Sequence, residues 1–291
     1  MNVLVNDVPL VLPSTIGIFD SGSGGLSILQ ELLKHGCKNY VFFADTAHLP
    51  YGQKSPDYLL ERGKVIAAFF QEREITTVIV ACHTFSATVL QPLRELFPSM
   101  IFIDMLVPTL RHALQVTTHK KIGVLATSTT IASHYHRNVL TLLDSQVEVV
   151  EQACPVFVPL VEKGDEDTLE CAQAIALYSQ LMKHAGVDTI ILGCTHYAFL
   201  MKQIAQFLPN VYVVSASILV PYLFLFQEQQ IHEKSQALGL FVVTGNVDTF
   251  ALSVAQRITV KHIYSVISVD ALDGRSGLVL NNSSKTPLTN L

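Results

Sequence analysis

The sequence predicts an α/β fold made of two doubly wound units, each with a parallel sheet, related by pseudo-two-fold symmetry. Short apolar runs rich in β-branched residues alternate with helix-like stretches along most of the 291 residues. This alternation is typical of parallel sheets that helices cover on both faces. The strand-like runs are too many for one sheet in a chain of this length, and they cover residues 15–20, 40–45, 76–82, 100–105, 121–127, 148–154, 189–195, 211–216 and 239–245.

The spacing of apolar residues between these runs predicts amphipathic helices. The clearest of them cover residues 56–72, 165–184 and 199–207. Beyond about residue 262 the chain becomes polar and rich in turn-forming residues, so we expect a peripheral tail over residues 263–291.

Composition indicates a large buried core and excludes several classes of partner. Hydrophobic residues make up 49% of the chain and charged residues 15%, and the net charge is −5. This charge offers no basic surface to nucleic acid, and no apolar run reaches the roughly 18 residues of a membrane span. The N-terminus has no signal-peptide pattern, and the five cysteines are widely spaced. We therefore expect a cytoplasmic protein with free thiols.

Reactive side chains follow the predicted strands at the points where those strands end. Ligands of open α/β sheets bind beyond the carboxyl ends of the strands, so we expect these groups to meet at one ligand site. The residues at such ends are Asp20, Asp45, Cys82, Thr127 and Cys194.

An internal repeat includes two of these strand ends. The segment TVIVACHTF at residues 77–85 aligns with TIILGCTHY at residues 189–197, so that Cys82 corresponds to Cys194. A duplication would give two related units, each with one cysteine at a strand end. A pseudo-two-fold arrangement of these units would place the two thiols on opposite sides of one cleft.

Two opposed thiols suit the inversion of a carbon atom that carries hydrogen, because one face needs a base and the other an acid. A thiol has a pKa of about 8.5, and a helix N-terminus lowers it, so one thiolate and one thiol can coexist near neutral pH. Three alternatives stay open: inert buried cysteines, a metal site that includes His83 or His196, and a redox pair. The usual ligand spacing of zinc sites and the C-x-x-C motif are both missing.

A glycine-rich loop, DSGSGG at residues 20–25, follows the first predicted strand and precedes a predicted helix. Glycines allow a tight turn and let backbone N–H groups approach an anion, so we interpret the loop as a carboxylate site. An ordinary strand–helix turn is the alternative. The loop is not a dinucleotide fingerprint, because Ser27 stands where the third glycine is required, and it lacks the lysine of a P-loop.

A set of motifs between about Ile16 and Val260 resembles the glutamate racemase family: IGIFDSGSGGLSIL (16–29), ADTAHLPYGQKS (44–55), VACHT (80–84), CPVFVPLVEKG (154–164) and LGCTHY (192–197). The resemblance implies an active site in the cleft between two α/β domains, residues 14–106 with 217–262 and residues 107–216. It implies interconversion of L- and D-glutamate for peptidoglycan synthesis, with neither pyridoxal phosphate nor a metal as cofactor. The oligomeric state stays open, with a homodimer as one alternative.

The resemblance also implies roles for individual residues. It makes Cys82 and Cys194 the two catalytic bases. Asp20 assists Cys82, whereas His196 assists Cys194, with Glu162 nearby. Contacts to the carboxylates and the ammonium group of the substrate are expected from Asp20, Ser21, Tyr51, Gly52, His83, Thr84, Thr195 and His196, and from one of Thr127 and Thr130.

The sequence departs from the family pattern at four positions: His83 replaces Asn, Ala126 replaces Gly, Ala198 replaces Pro and Val214 replaces Asp. His83 adjoins a candidate catalytic cysteine and adds a group that titrates near neutral pH, so we expect it to change the pH dependence of activity. Two other functions stay open. One is a racemase of the same superfamily for aspartate or a hydantoin, and the other is a racemase-like protein that binds a ligand without useful turnover.

Overall fold

The computed structural model describes residues 10–226, 238–260, 263–270 and 279–289. The strands of these residues are β1 (Leu10–Leu12), β2 (Ile16–Asp20), β3 (Asn39–Ala44), β4 (Thr77–Val80), β5 (Ile101–Asp104), β6 (Lys121–Ala126), β7 (Glu148–Ala153), β8 (Thr189–Gly193), β9 (Tyr212–Val214), β10 (Phe224–Phe226), β11 (Leu238–Val243), β12 (Ile263–Asp270) and β13 (Val279–Thr289). The helices are α1 (Leu26–Lys34), α2 (Pro56–Gln71), α3 (His83–Leu96), α4 (Leu106–Val116), α5 (Ser128–Ala132), α6 (Tyr135–Leu143), α7 (Phe157–Lys163), α8 (Leu169–Ala185), α9 (Met201–Phe207), α10 (Val220–Leu223) and α11 (Val247–Arg257).

Two main sheets organise the fold. The larger has the order β13-β12-β11-β3-β2-β4-β5 and the smaller β7-β6-β8-β9, and a separate pair joins β1 to β10. Neighbouring strands are parallel, except that β12 and β13 are antiparallel. The order β3-β2-β4-β5 recurs as β7-β6-β8-β9, with the chain visiting the four strands in the same sequence each time. The predicted α/β class is confirmed, and the shared strand order supports the internal repeat.

Burial explains why the strands are apolar along their whole length. Every residue of β2, β4 and β8 is buried. The side chains of each sheet contribute to two apolar clusters, one on each face. A strand that packs against helices on both sides needs apolar residues at consecutive positions, rather than at alternate ones. The strand-like runs predicted from the sequence all correspond to strands.

Local capping signals set where the predicted helices begin and end. Ser55 precedes α2 and accepts a hydrogen bond from the Tyr58 N–H, whereas Thr168 caps α8 in the same way through the Cys171 N–H. The helix predicted over residues 165–184 therefore begins at Leu169. The helix predicted over residues 199–207 begins at residue 201, after a 3₁₀ segment, Thr195–Leu200.

No helix of the described part of the chain is long and apolar enough to cross a membrane.

The segment predicted as a peripheral tail instead contributes strands to the larger sheet. Strand β12 pairs in parallel with β11, and its Tyr264, Val266 and Val269 are buried, so the prediction is wrong for this strand. Two serines, at positions 265 and 268, interrupt the apolar residues of β12, and a polar stretch follows it, so the sequence does not indicate a strand there. Of the predicted tail, residues 271–278 and 290–291 lie outside the described residues. The predicted domain boundaries stay a prediction.

Candidate active site

A pocket lies where the carboxyl ends of the two sheets face each other. Cys82 follows β4 and Cys194 follows β8, and these strands hold equivalent places in their sheets. Both cysteines line the pocket. Its other lining residues are Ser21, Leu49, Pro50, Tyr51, Gly52, His83, Thr84, Thr127, Val158, Thr195 and His196. Three of these pocket residues were not predicted from the sequence, because they carry no reactive group: Leu49, Pro50 and Val158.

Cys82 lies in an environment that keeps its thiol protonated. It is the N-terminal cap of α3, is 4% exposed, and its Sγ donates to the Ser21 Oγ at 3.7 Å. Burial raises the pKa of this thiol far above its usual value, and the nearby Asp20 raises it further. The Phe85 N–H and the Ser21 hydroxyl lower it by less. These surroundings therefore favour the protonated thiol at Cys82.

Cys194 lies in a different environment, next to a hydrogen-bonded histidine, His196. Its Sγ is 3.6 Å from His196 Nδ1, and His196 Nε2 is 2.6 Å from Glu162 Oε1. Burial lowers the pKa of His196, but its hydrogen bonds to Cys194 and Glu162 outweigh burial and raise that pKa well above its usual value. Burial likewise raises the pKa of Glu162, but His196 and Ser23 lower it to about 2. His196 thus places a positive charge and a ring N–H beside the Cys194 sulfur.

Asp20 joins the two halves of the pocket. It is fully buried at the end of β2, and its carboxylate accepts the Gly22 N–H and the Thr195 hydroxyl, each at 3.0 Å. Burial raises the pKa of Asp20 to about 6, although His196 and the two hydrogen bonds lower it. The structure thus brings Asp20 near Cys82, as predicted for its role, and also ties it to the residue that follows Cys194.

The glycines of the loop at residues 20–25 are required by close packing between the halves. A Cβ on Gly22 would lie 2.5 Å from Glu162 Oε1, and one on Gly24 would lie 2.5 Å from His196 Nδ1. The Ser23 N–H and hydroxyl donate to Glu162 Oε1 at 2.8 and 3.0 Å. The loop does present an N–H to a carboxylate, as its sequence suggested, but that carboxylate belongs to the protein.

Three threonine hydroxyls form a closed cluster beside Cys82. The Oγ1 atoms of Thr84, Thr127 and Thr130 lie 2.9–3.0 Å from one another. Thr84 and Thr127 line the pocket, whereas Thr130 is fully buried behind them. Of the two threonines that the sequence left as alternatives, Thr127 is therefore the one on the pocket wall.

Tyr51 and Gly52 both line the pocket. The Tyr51 hydroxyl donates to Asp45 Oδ2 at 2.6 Å, and Arg62 donates to both oxygens of the same carboxylate at 2.9 and 2.8 Å. A Cβ on Gly52 would lie 2.5 Å from Thr127 Cβ. Sequence reasoning missed Arg62, because an arginine within a helix belongs to no recognisable motif.

The geometry does not support the two alternatives of a metal site or a redox pair at these cysteines. Among the residues that the structure describes, no group of three or more His, Cys, Asp or Glu side chains could hold a metal ion. All five cysteines are free thiols, so Cys82 and Cys194 form no disulfide.

Comparison with known proteins identifies the family. Residues 24–222 match the family model for Asp/Glu/hydantoin racemases. The chain belongs to this family. The glutamate racemase of Stutzerimonas stutzeri is 41% identical over 198 residues, which cover 67% of this chain and 74% of the relative. The glutamate racemase of a Thermoanaerobacter species is 31% identical over 260 residues, which cover 88% of this chain and 97% of the relative.

Solved structures of the racemase family share the fold. The crystal structure of a glutamate racemase isoform from Bacillus anthracis aligns with a TM-score of 0.76 and 28% identity, over 89% of this chain and 97% of that one. The glutamate racemase from Aquifex pyrophilus aligns with a TM-score of 0.69 and 30% identity, over 87% and 98%. The resemblance seen in the motifs is thereby confirmed.

His83, where this racemase family member departs from the family pattern, is neutral in the structure. It is 2% exposed, lines the pocket and lies against the backbone of Gly193. Burial lowers the pKa of His83 to about 4, and the Gly193 backbone only partly opposes this. The expectation that His83 titrates near neutral pH is therefore wrong, because sequence alone does not show how completely the ring is removed from water.

Proposed function

We propose that this protein is a glutamate racemase that uses Cys82 and Cys194 as its two acid–base groups. One observation carries the proposal: the two cysteines follow equivalent strands of the two sheets and line the same pocket. An amino-acid Cα held between them can lose its proton to one sulfur, become a flat carbanion-like centre and then gain a proton from the other sulfur. The glutamate racemases among the relatives support the choice of substrate.

The unequal surroundings of the cysteines suit the two different roles, acid and base, that inversion needs. Cys194, next to the His196 imidazolium, is the base for the enantiomer whose Cα–H points towards it. Cys82, whose pKa burial raises, then donates its proton to the opposite face of Cα. For the reverse reaction the roles exchange. Asp20, with a pKa of about 6, can take up or release a proton beside Cys82 as the charges move.

Hydroxyl groups on the pocket wall provide hydrogen bonds for an amino-acid substrate. Ser21, Thr84, Thr127 and Thr195 come from both halves of the molecule, and a hydroxyl can donate to a carboxylate or accept from an ammonium group. We also infer a cytoplasmic location, supported by the free cysteines, and use of the D-glutamate product in peptidoglycan synthesis.

Circular dichroism with pure protein tests this function. The protein is treated with EDTA and assayed without pyridoxal phosphate, first with L-glutamate and then with L-aspartate and a hydantoin. We expect the signal of L-glutamate to decay to that of a racemic mixture and, in D₂O, the product to carry deuterium at Cα. Stable L-glutamate, or faster loss of one of the other substrates, would contradict the proposal.

A further inference from the structure

Arg257 connects the two halves of the molecule at some distance from the pocket. It is the last residue of α11, which follows β11 of the larger sheet, and its side chain is 9% exposed. Its Nη1 is 2.7 Å from Glu166 Oε1, and its Nη2 donates to the Val161 carbonyl. The guanidinium carbon also lies 4.3 Å from the centre of the Phe199 ring. All three partners belong to the half that carries the smaller sheet.

Two of the partners of Arg257 lie on the segments that carry Glu162 and His196, the residues beside Cys194. Val161 directly precedes Glu162 in α7, and Phe199 lies in the same 3₁₀ segment as His196. Glu162 and His196 meet at 2.6 Å, and His196 in turn contacts the Cys194 sulfur. The Arg257 side chain therefore contacts both segments whose side chains, Glu162 and His196, hydrogen-bond to each other. That hydrogen bond helps to raise the pKa of His196.

The helix that carries Glu162 is short, and its position depends on its packing contacts. Helix α7 has only seven residues, Phe157–Lys163, and ends at Gly164 with φ 77°. Helices this short have little stability of their own, so packing decides where they lie. Arginine suits the task because its planar fork can bind a carboxylate and a carbonyl at once while it stacks on a ring.

We propose that Arg257 is a positioning residue, which holds Glu162 and His196 in the geometry that places the His196 ring against the Cys194 sulfur. The inference rests on the proposed function, because it assigns the Cys194 sulfur a use in proton transfer. Without the guanidinium, α7 and the 3₁₀ segment lose a contact that they share. The contact between Glu162 and His196 then loosens, and the Cys194 sulfur becomes less reactive.

The test compares Arg257→Met and Arg257→Lys with a matched control, Gln30→Ala. Gln30 makes two hydrogen bonds to Thr259, two residues beyond Arg257, and this contact stays within one half of the molecule. Iodoacetamide alkylation at pH 7, followed by peptide mass spectrometry, gives the rate at each cysteine, since only thiolates react. We expect Arg257→Met to lower the rate at Cys194 relative to Cys82 about tenfold, as loss of an outer support does elsewhere.

The remaining outcomes separate this inference from the proposed function. Arg257→Lys should give an intermediate ratio, and it decides the question if Arg257→Met fails to fold. Gln30→Ala should leave the ratio of the two alkylation rates unchanged. An unchanged ratio in both Arg257 variants, or equal losses at both cysteines, would overturn the positioning role. Alkylation needs no turnover, so a wild-type protein that does not racemise glutamate would refute only the proposed function.

Discussion

Cys82 and Cys194 hold aligned positions in the internal repeat but have very different neighbours. The Cys82 sulfur lies near the Asp20 carboxylate, the Phe85 N–H and the Ser21 hydroxyl, whereas Cys194 contacts a histidine whose other ring nitrogen meets a carboxylate. The residues immediately around a thiol in the chain therefore say little about its surroundings. Those surroundings are decided by side chains far away in sequence, such as Glu162.

Replacement of either cysteine by alanine should abolish racemisation. Each variant lacks the acid or base on one face of Cα, and loss of such a group lowers the rate by about 10³-fold. Circular dichroism of L-glutamate over time measures the effect. Cys171→Ala is the matched control, because Cys171 is also fully buried but lies outside the pocket. Near wild-type rates in Cys82→Ala or Cys194→Ala would rule out the two-thiol mechanism.

Asp20 should make the protein less stable as its carboxylate ionises. Its pKa of about 6 in the fold lies above the value in an unfolded chain, so folding favours the protonated form. This stabilisation is complete only below the unfolded pKa of about 4, and most of it is lost as pH rises through about 6. Asp20→Asn should therefore gain up to about 2 kcal/mol over the wild type at pH 7.5 but almost nothing at pH 4. Urea unfolding at both pH values measures the difference, and an equal gain at both would refute the explanation.

His83 should influence binding without changing the pH dependence of activity. With a pKa of about 4 the ring is neutral between pH 6 and 8. A neutral ring offers one donor and one acceptor, and an asparagine amide offers more. We expect His83→Asn to racemise glutamate with a lower KM and a pH profile of unchanged shape. His184→Asn, at the exposed end of α8, is the control, and a flattened profile in His83→Asn alone would show that His83 titrates.

At the level of single residues, the sequence predicted which side chains reach the pocket better than what those side chains do there. The motif residues Ser21, Thr84 and Thr195 do line it. Contacts between distant segments left no trace in the sequence, and the bond from Tyr51 to Asp45 is an example. The neutral state of His83 depends on burial, which is a property of the folded molecule.

At the level of elements, glycines serve two different purposes that one sequence letter does not distinguish. Gly24 has an ordinary φ but no room for a Cβ, because the Thr195 and His196 side chains lie against it. Gly186, which ends α8, has φ 65° and nothing within 4 Å of a Cβ. The first glycine is set by packing between segments and the second by backbone conformation.

Alanine substitutions at these two glycines should separate activity from stability. Gly24→Ala pushes on His196, and we expect its kcat/KM for glutamate to fall by about 100-fold, since small displacements of catalytic groups have effects of this size. Gly186→Ala should instead lower the free energy of unfolding by about 1 kcal/mol with normal activity. Enzyme kinetics and urea unfolding of both variants measure this, and full activity of Gly24→Ala would contradict the expected clash.

Element positions were largely predictable because each central strand is buried along its whole length. Runs such as TIILG in β8 are apolar at consecutive positions because both faces of the strand are buried. Strand β12 was not predicted because it lacks such a run. Serines at positions 265 and 268 interrupt its apolar residues, and a polar stretch follows it.

At the level of the whole molecule, the pocket exists only where both halves meet. Ser21, Cys82 and Thr84 come from segments around the larger sheet, whereas Cys194 and Thr195 follow a strand of the smaller one. A ligand in this pocket therefore binds the complete fold and not either half alone.

Glutamate should accordingly stabilise the entire chain. At a concentration of about 100 times the dissociation constant, a ligand that binds only the folded state adds about 2.7 kcal/mol. We expect one unfolding transition that moves to higher temperature with glutamate, measured by differential scanning fluorimetry. L-Lysine, which lacks the second carboxylate, is the control. A Tm that responds equally to both amino acids would contradict specific binding at the pocket.

The close packing of the loop at residues 22–25 against residues 162 and 195–196 also restricts how such a molecule evolves. The repeated strand order makes the halves look like interchangeable modules descended from one ancestor. Yet the loop of one half packs directly against side chains of the other half. The sequence of either surface therefore cannot change independently of the other. A chimera that joins one half of this chain to the other half of a distant relative should fail unless both surfaces are transplanted together.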